Sequence, residues 1–511
     1  MALPDWFARS TTLAGAPELY SLTVSLAEWR SAIENLAAAG GRLVALWASG
    51  DAINAPTVRA AFLVQRLGLV LCLPLADRQG AYPGIEDLFP AAGRMQRAVA
   101  DLSGVHATAA DRRPWLRHAA WPESFRPLVD PAPPSGAELG IDAYEFVRVE
   151  GEGVHEIAVG PVHAGIIEPG HFRFSTVGEK VLKLEERLGY VHKGIERRFT
   201  EMPILEGHRL AARVSGDSAV AFSWAYCQAL EGITATVIPP RAAWLRALYL
   251  ELERIANHLG DLGALGNDAG FAFGLVQFSR LKEQLLRANH EALGERYLMN
   301  ALVPGGTRRD LDRGAASMVR RCLKEIAQEA LTLRTIFDEH EGLRDRFTGA
   351  GTVAPELAAR LGVTGLAGRA SGQAFDLRQD LPCDPYVELA PAKCGRTEGD
   401  VAARVAVRFD ELAESCRLAQ HILQKLPPGP HVVPVRAPGD GTIGAGLIEG
   451  WRGPVLVALE AGPAGGIRRC HPHDPSWQNW PALEYGILGN IVPDFPLINK
   501  SFNLSYSGHD L

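Results

Sequence analysis

The stretch RAAWLRALYLELERIANHLGDL, residues 241–262, constrains the fold more than any other part of the chain. Its large apolar residues recur at steps of three and four, which places them on one face of an α-helix. They are Trp244, Leu248, Leu252, Ile255, Leu259 and Leu262. Residues 399–426 form a second long amphipathic stretch, and helical periodicity dominates from about 180 to 425. Because such helices must bury their apolar faces, the sequence predicts a large, mainly helical domain.

The first 130 residues have a different pattern. The segment SLAEWRSAIENLAAAGG begins with a capping box, Ser25 followed by Glu28, and predicts one amphipathic helix. The runs RLVALWA, VRAAFLV and GLVLCLPL then predict β-strands. We therefore expect a small N-terminal α/β domain.

Turn-forming residues divide the chain further. The Pro/Gly/Ser-rich residues 131–140 predict a linker between a domain at 1–130 and a domain at 141–511. Residues 144–160, YEFVRVEGEGVHEIAVG, alternate around a glycine turn and predict a β-hairpin. Residues 427–459 predict a small β segment near the C-terminus. The expected fold class is α+β, with the helical domain as its larger part.

Composition excludes several functions. The net charge of −7, without a long basic run, gives no reason to expect a nucleic-acid partner. No Walker loop and no Gly-x-Gly-x-x-Gly after a strand is present, so we expect no bound nucleotide. The seven cysteines include no Cys-x-x-Cys pair, and no secretory start is visible, which favours a reducing, cytoplasmic setting. The apolar run 67–76 is about half the length of a spanning helix, so membrane contact is expected only through partners.

Several polar motifs are ambiguous when each is taken alone. The segment GPVHAGIIEPGHFRF contains His163 and fits a surface hairpin with incidental histidines. In GYVHKGIERRF, His192 and Glu196 have i, i+4 spacing, so they could share a proton or lie on a solvated helix face. Asp268 follows His258 by ten positions and could cap the next helix.

In this order, however, the segments resemble two related families. One is the large subunit of [NiFe] hydrogenases of the membrane-bound, formate-hydrogenlyase type, and the other is the quinone-site subunit of respiratory complex I. Further matching segments are RVSGDS, LVPGGTRRDL, GLAGRASG and PSWQNWPALEYGILGNIVPDFP. The N-terminal part, with YPGIEDLFPAAGRMQRAVADLSGV, resembles the smaller complex I subunit that is often fused ahead of the quinone-site subunit.

The RVSGDS segment departs from the hydrogenase pattern. In that branch it reads Arg-Val-Cys-Gly-x-Cys, followed by a histidine, and a second cysteine pair lies near the C-terminus. Here these first positions are Ser215, Ser218 and Phe222, and no cysteine follows Cys470. A serine hydroxyl is a hard ligand that loses its proton reluctantly and does not replace a thiolate. We therefore expect no Ni–Fe centre and no tightly bound cofactor in this chain.

The resemblance to the complex I branch implies a quinone site instead. Its hairpin histidine matches His163, and its aspartate after the Asn-His pair matches Asp268. The position of its quinone-contacting tyrosine falls near His208, so this chain departs from the pattern there. Glu196 matches the hydrogenase glutamate that passes protons, which suggests a proton or conformational relay.

These resemblances predict a quinone-reactive catalytic subunit of a membrane-associated, complex I-like oxidoreductase. Electrons would come from an iron–sulfur cluster on a small partner subunit, with NAD(P)H or ferredoxin as the type of donor, coupled to ion translocation. Antiporter-like membrane subunits would hold the chain at the inner face of the cell membrane. Two alternatives stay open: a true [NiFe] hydrogenase large subunit, and a non-redox scaffold subunit.

Overall fold

A computed structural model of the chain describes residues 3–50, 55–78, 80–119, 121–132, 144–163 and 167–511. The N-terminal elements are, in chain order, α1 (Leu3–Arg9), β1 (Thr11–Thr12), β2 (Ala14–Gly15), β3 (Leu19–Thr23), α2 (Leu26–Ala38), β4 (Arg42–Ser49), β5 (Thr57–Val64), β6 (Leu67–Pro74), β7 (Ala81–Pro83), α3 (Ala92–Ser103) and β8 (His106–Thr108).

The N-terminal region contains the predicted helix and strands. Ser25 Oγ accepts a hydrogen bond from the Glu28 N–H at 3.3 Å, and Glu28 Oε2 accepts one from the Ser25 N–H at 2.9 Å. This capping box starts α2, as predicted. The three apolar runs form β4, β5 and β6 within a five-stranded sheet of order β1-β3-β6-β5-β4. Its β3–β6 pair is parallel, and the other pairs are antiparallel.

The central part of the chain is mostly helical. Its elements are β9 (Val154–Val159), β10 (His171–Val177), β11 (Lys180–Arg187), α4 (Ile195–Phe199), α5 (Gly207–Ala211), α6 (Ala219–Ile233), α7 (Pro240–Asp268), α8 (Ala272–Leu293), β12 (Leu302–Val303), β13 (Gly306–Thr307), α9 (Arg313–Glu339), α10 (Glu341–Phe347), α11 (Pro355–Leu361), α12 (Gly365–Ala370), α13 (Leu377–Asp380), α14 (Tyr386–Leu389) and α15 (Val401–Lys425).

The hairpin predicted for residues 144–160 is wrong in its first arm. Only the second arm forms a strand, β9, which pairs antiparallel with β10 rather than with residues 144–150. The first arm is held by side chains instead, because the Val147 N–H donates to Glu185 at 2.8 Å and the Glu145 carbonyl accepts from Arg113 at 2.6 Å. Alternating apolar residues therefore marked an extended segment without a sheet partner.

The periodic stretch 241–262 forms most of α7, a helix of 29 residues. Pro240 occupies its first turn, where a missing N–H costs nothing. The helix packs against α8 and α15, and α9 closes the layer by contacting both of those helices. The second predicted helix is α15, which begins where Asp400 accepts a hydrogen bond from the Ala403 N–H at 2.8 Å. These helices place the end of α7 beside the C-terminal segment.

The C-terminal part returns to β-structure and short helices. Its elements are β14 (Ile443–Glu449), β15 (Pro454–Ala461), a 3₁₀ turn (Pro463–Gly465), β16 (Ile467–His473), α16 (Ser476–Gly486), a second 3₁₀ turn (Val492–Asp494), α17 (Phe495–Phe502) and α18 (Tyr506–Asp510). The predicted C-terminal β segment forms β14 and β15, whereas β16 was not predicted.

The two ends of the chain share a sheet. Its order is β16-β15-β14-β2, so β2 from the N-terminal region pairs in parallel with β14. Arg469 of β16 also donates to the Ala48 carbonyl of β4 at 2.9 Å. The predicted linker 131–140 lies outside the described residues from position 133 onward, and the boundaries at 130 and 141 stay predictions.

The expected fold class is confirmed, because a small α/β region precedes a β-rich segment and a larger helical domain with a C-terminal sheet. Across the described ranges, no helix is both long enough and apolar enough to cross a membrane.

Candidate functional site

A cavity of about 700 Å³, called the main cavity below, lies where four segments meet. Its walls come from residues 159–163 and 167–172, from the turn 215–217 before α6, from the end of α7, and from residues 495–507, together with Arg452. Three residues singled out from the sequence line it together, namely His163, Asp268 and Ser215. The fold thus joins positions that are far apart along the chain.

His163 is half-buried in the wall of the main cavity and has a defined hydrogen bond. Its Nε2 lies 2.8 Å from the Gly170 carbonyl oxygen. A carbonyl only accepts, so Nε2 carries the hydrogen, and this bond fixes the orientation of the imidazole ring.

Gly170 also positions an aromatic side chain. A Cβ built on Gly170 would lie 2.5 Å from Cε1 of Tyr506, so the absence of a side chain lets the tyrosine ring pack against this backbone. The Tyr506 hydroxyl accepts a hydrogen bond from Asn499 Nδ2 at 3.3 Å. Burial raises the pKa of Tyr506, which therefore keeps its proton near neutral pH. His163 and Tyr506 are held by the same residue on one cavity wall.

Asp268, the last residue of α7, forms an ion pair with Lys500 of α17 at 2.8 Å. The Asp268 side chain is 14% exposed and that of Lys500 is 33% exposed, so the pair borders the cavity rather than the deep interior. Lys500 therefore provides a positive charge next to the space in which a ligand would lie.

The RVSGDS turn carries a hydrogen-bonded cluster. Ser215 Oγ donates to Asp217 Oδ1 at 2.7 Å and lies 2.8 Å from Ser505 Oγ. Arg452 is buried and donates from Nη1 to Asp217 Oδ1 at 2.8 Å and to Ser218 Oγ at 3.4 Å. Burial works against it, but the Arg452 guanidinium and these hydrogen bonds lower the pKa of Asp217. The turn is thus fixed by a hydroxyl–carboxylate–guanidinium network.

Comparison with known proteins shows the family of the chain. Residues 268–439 match the family described as Respiratory-chain NADH dehydrogenase, 49 Kd subunit. Formate hydrogenlyase subunit 5 of Escherichia coli (strain K12) is 32% identical over 441 residues, which cover 84% of this chain and 77% of that protein. NADH-quinone oxidoreductase subunit 4 of Thermus thermophilus is 30% identical over 277 residues, which cover 54% of this chain and 68% of that protein.

The chain belongs to the family of complex I 49 kDa subunits and hydrogenase large subunits. A solved structure of a membrane-bound sulfane sulfur reductase, an archaeal respiratory membrane complex, contains a chain of similar fold. The TM-score is 0.66 at 24% identity, and the match covers 70% of this chain and 99% of that chain.

The hydrogenase branch of this family implies nickel and iron held by thiolates, and the residues present do not fit such a centre. The first two ligand positions carry the hydroxyls of Ser215 and Ser218, and the facing side chain is Ser505. Soft metals of this kind prefer thiolates over hydroxyls. Moreover, the Arg452 guanidinium lies within hydrogen-bonding distance of Ser218, where its positive charge would repel a metal cation. The family's scaffold is present here with a different set of side chains.

Glu196 lies outside the main cavity. Its Oε1 is 2.6 Å from Arg469 Nη2 and 2.7 Å from His471 Nδ1, and all three side chains are buried. Burial alone would raise the pKa of Glu196, but the charge of Arg469 and the contacts with both partners lower it to about 2. Trp47 of the N-terminal region stacks on His471 at 5.2 Å between ring centroids. We call Glu196, Arg469 and His471 the buried triad.

Two other predicted arrangements differ from the structure. His192 and Glu196 do not share a proton, because α4 begins only at Ile195 and His192 Nδ1 instead contacts the Asp510 carbonyl at 2.7 Å. His208, on α5, donates from Nδ1 to the Leu205 carbonyl at 3.0 Å and is not among the residues that line the main cavity. Burial lowers the pKa of His208.

Among the residues of the cavity wall that sequence reasoning missed are Arg452, Lys500, Ser505 and Tyr506. Only the last three had a signal, because they lie in the polar and aromatic C-terminal tail NKSFNLSYSGHDL. The aromatic residues Phe502 and Tyr506 within this tail could have indicated that it is buried. Arg452 had none, since it sits in a turn more than 230 residues from its partner Asp217.

Proposed function

We propose that this chain is the quinone-reactive subunit of a membrane-associated, complex I-like oxidoreductase. One observation carries the proposal: His163 and the Asp268–Lys500 pair line a single cavity of about 700 Å³ beside a turn without thiol ligands. Cavities of this size and mixed polarity are typical of small-molecule sites. The occupant is a quinone head group.

His163 supplies one proton. Reduction of a quinone to a quinol consumes two electrons and two protons, so its carbonyl oxygens need donors that can be reprotonated. With Nε2–H held by Gly170, a protonated His163 donates from Nδ1 and is left as the neutral ring with the same Gly170 bond. The ring therefore exchanges its proton without turning, which avoids a reorganisation step.

Lys500 and Tyr506 complete the donor set. The Lys500 ammonium stabilises negative charge as it develops on the quinone oxygens, and Asp268 holds that ammonium in place at 2.8 Å. The Tyr506 hydroxyl accepts from Asn499, so its own hydrogen remains available to a second acceptor.

Electrons arrive from outside this chain. We propose an iron–sulfur cluster on a small partner subunit as their immediate source, with NAD(P)H or ferredoxin as the initial donor type. Antiporter-like membrane subunits couple the reaction to ion translocation and hold the chain at the inner face of the membrane. These assignments extend the named relatives, which include an NADH-quinone oxidoreductase subunit and a formate hydrogenlyase subunit.

The test is the quinone reductase activity of the intact complex carrying His163→Ala. Loss of one positioned donor typically lowers the rate by ~10²-fold or more. His290→Ala is the matched control, because His290 is exposed on α8 and outside the main cavity. Normal turnover by the His163 variant, in a fully assembled complex, would contradict the catalytic proposal and favour the scaffold alternative.

The hydrogenase alternative makes a separate prediction. A true [NiFe] large subunit holds nickel and supports hydrogen-dependent dye reduction. We expect neither from the purified complex, because hydroxyls and a guanidinium occupy the ligand region. Stoichiometric nickel by elemental analysis, together with dye reduction, would establish that alternative.

A further inference from the structure

A second chamber of about 320 Å³ lies on the other side of the 216–217 turn from the main cavity. Gly216 and Asp217 line both spaces, so this turn forms a shared wall. The remaining walls are one face of α7, one face of α8 and the loop 296–299. We call it the α7–α8 chamber. None of the predicted site residues His163, Asp268, Glu196 or His208 lines it.

The α8 face of the chamber has a polar–apolar–polar pattern. Lys282, Leu286 and Asn289 line the chamber at i, i+4 and i+7, which places them on one side of the helix. Seven residues of α-helix span about 10 Å. The two polar side chains are therefore separated by about 10 Å along the chamber, with an apolar side chain between them.

Asn289 has an unused acceptor. Its side chain is 1% exposed, its Nδ2 donates to the Arg296 carbonyl at 3.3 Å, and its Oδ1 has no hydrogen-bond partner among the described residues. The contact with a carbonyl fixes the orientation of the amide, because only the NH₂ group can donate to it. A buried amide oxygen without a partner is costly, so this wall favours a ligand with an O–H or N–H group.

Lys282, at the other polar position of the α8 face, favours a negatively charged group. Its ammonium lies over Gly260 of α7, where a Cβ would come within 2.8 Å of Nζ. No acidic side chain in the described ranges forms an ion pair with it. Glu253, which also lines the chamber, accepts hydrogen bonds from the Val220 and Ala221 N–H groups, and burial raises its pKa to about 8. Near neutral pH, the chamber thus favours an acidic group at its Lys282 end.

We propose that the α7–α8 chamber is a second ligand site, for an elongated small molecule with an acidic group at one end and a hydrogen-bond donor at the other. Leu252, Leu286 and Leu298 contact its apolar middle. Asn257 connects this site to the main cavity, because its Nδ2 donates to the Asp217 carbonyl at 2.8 Å. A ligand in the chamber would therefore contact the 216–217 turn, from which the Asp217 side chain lines the main cavity.

The test uses 4-hydroxycinnamate as the probe, because it carries a carboxylate and a phenol O–H at opposite ends of an apolar body. Binding to the full chain is measured by calorimetry and ligand-observed NMR, which need no quinone turnover. We expect 4-methoxycinnamate, which cannot donate, and 4-hydroxycinnamyl alcohol, which has no acid, to bind more weakly. Failure of this proposal therefore leaves the quinone proposal unaffected.

Three variants report on the chamber. Lys282→Met removes the charge and should weaken binding by about tenfold or more, and Asn289→Leu should weaken it by about threefold to tenfold. Ala256→Leu fills the chamber from α7 without removing a polar contact and should abolish binding. Lys324→Met, on the exposed face of α9, is the matched control and should bind as the wild type does. The proposal would be overturned if Lys282→Met and Ala256→Leu both bound the probe with the affinity of the wild type. It would also be overturned if the wild type did not bind the probe at millimolar concentration.

Discussion

The main cavity and the buried triad contain similar residue types in different surroundings. In the main cavity, His163 is half-buried and makes one hydrogen bond to a backbone carbonyl, and Asp268 pairs with a partly exposed lysine. In the triad, Glu196 is enclosed by Arg469 and His471, and Trp47 of the N-terminal region stacks on His471. The first setting leaves both side chains beside a space that a ligand can enter, whereas the second joins α4 to β16 through buried side chains.

The difference matters because the family resemblance implies a functional role for His163, Asp268 and Glu196 alike. Glu196 matches a proton-passing glutamate, but its pKa near 2 means that it stays ionised at physiological pH. A group that never binds a proton under working conditions is a poor relay. We therefore expect Glu196 to act on stability and His163 to act on turnover.

The largest expected effect is that of Glu196→Ala on stability. The change leaves the buried Arg469 guanidinium without its charged partner, and breaking a buried pair in this way costs about 3–5 kcal/mol. Chemical denaturation of the full chain, followed by far-UV circular dichroism, should show a first unfolding transition at a lower denaturant concentration than in the wild type. If the variant unfolds at the same denaturant concentration as the wild type, the buried triad does not stabilise the fold. The proposed difference between the triad and the main cavity would then be wrong.

The loss of stability in acid is a second test of whether Glu196 stabilises the fold. The folded pKa of Glu196, about 2, lies below its ordinary value of 4.5, so its contribution is present above pH 4.5 and lost as the pH falls toward 2. The shift corresponds to on the order of 3 kcal/mol. Burial also lowers the pKa of His471 and His473, so wild type and variant both lose stability in acid.

The measurement is therefore the difference between wild type and Glu196→Gln in denaturation midpoint from neutral pH down to about pH 2. We expect a constant difference above pH 4.5 that shrinks below it. A difference that does not change with pH would mean that the carboxylate titrates normally.

A smaller effect is expected for Asp268→Asn. Lys500 loses its partner, and its ammonium is held less firmly next to the ligand, so quinone reduction should slow by about tenfold. Stability should change by less than about 1 kcal/mol, because the pair is partly exposed. The double variant Asp268→Asn/Lys500→Met separates two roles: it should be no slower than Lys500→Met alone if Asp268 acts through Lys500.

The smallest effect is that of His163→Ala on stability. One hydrogen bond from a half-buried ring is worth about 1 kcal/mol or less, so denaturation should nearly match that of the wild type. Together with its predicted loss of turnover, this outcome would make His163 the reverse of Glu196. A loss of several kcal/mol would instead assign both residues to the same structural class.

The sequence allowed the helices to be predicted well where one face alone is apolar. Helix α7 follows from the six apolar residues that recur at steps of three and four, and α2 from the Ser25–Glu28 pair, because both signals are local. Strand β16 could not be predicted, since Ile467–His473 is polar, yet it is buried between β15 and the N-terminal region. Two of its polar residues, Arg469 and His471, pair in the interior with Glu196, which is more than 270 residues away.

The site divides in the same way. His163 and Asp268 could be named from ordered motifs, and the structure places both on one cavity. The partners that give them chemistry could not be named, because Lys500 meets Asp268 across 232 residues and Gly170 meets Tyr506 only after the C-terminal segment folds back. Counting along the chain placed the family's quinone-contacting tyrosine near His208. In the structure His208 is not among the residues that line the main cavity.

Photoaffinity labelling tests most directly whether the main cavity is the quinone site. The intact complex would be irradiated with an azidoquinone, with and without excess unlabelled quinone, and digested for mass spectrometry. We expect label on peptides that contain the wall residues at 159–163, 167–172 and 495–507, and we expect the competitor to suppress it. Label confined to other parts of this chain or to another subunit, or label that the competitor does not reduce, would contradict it.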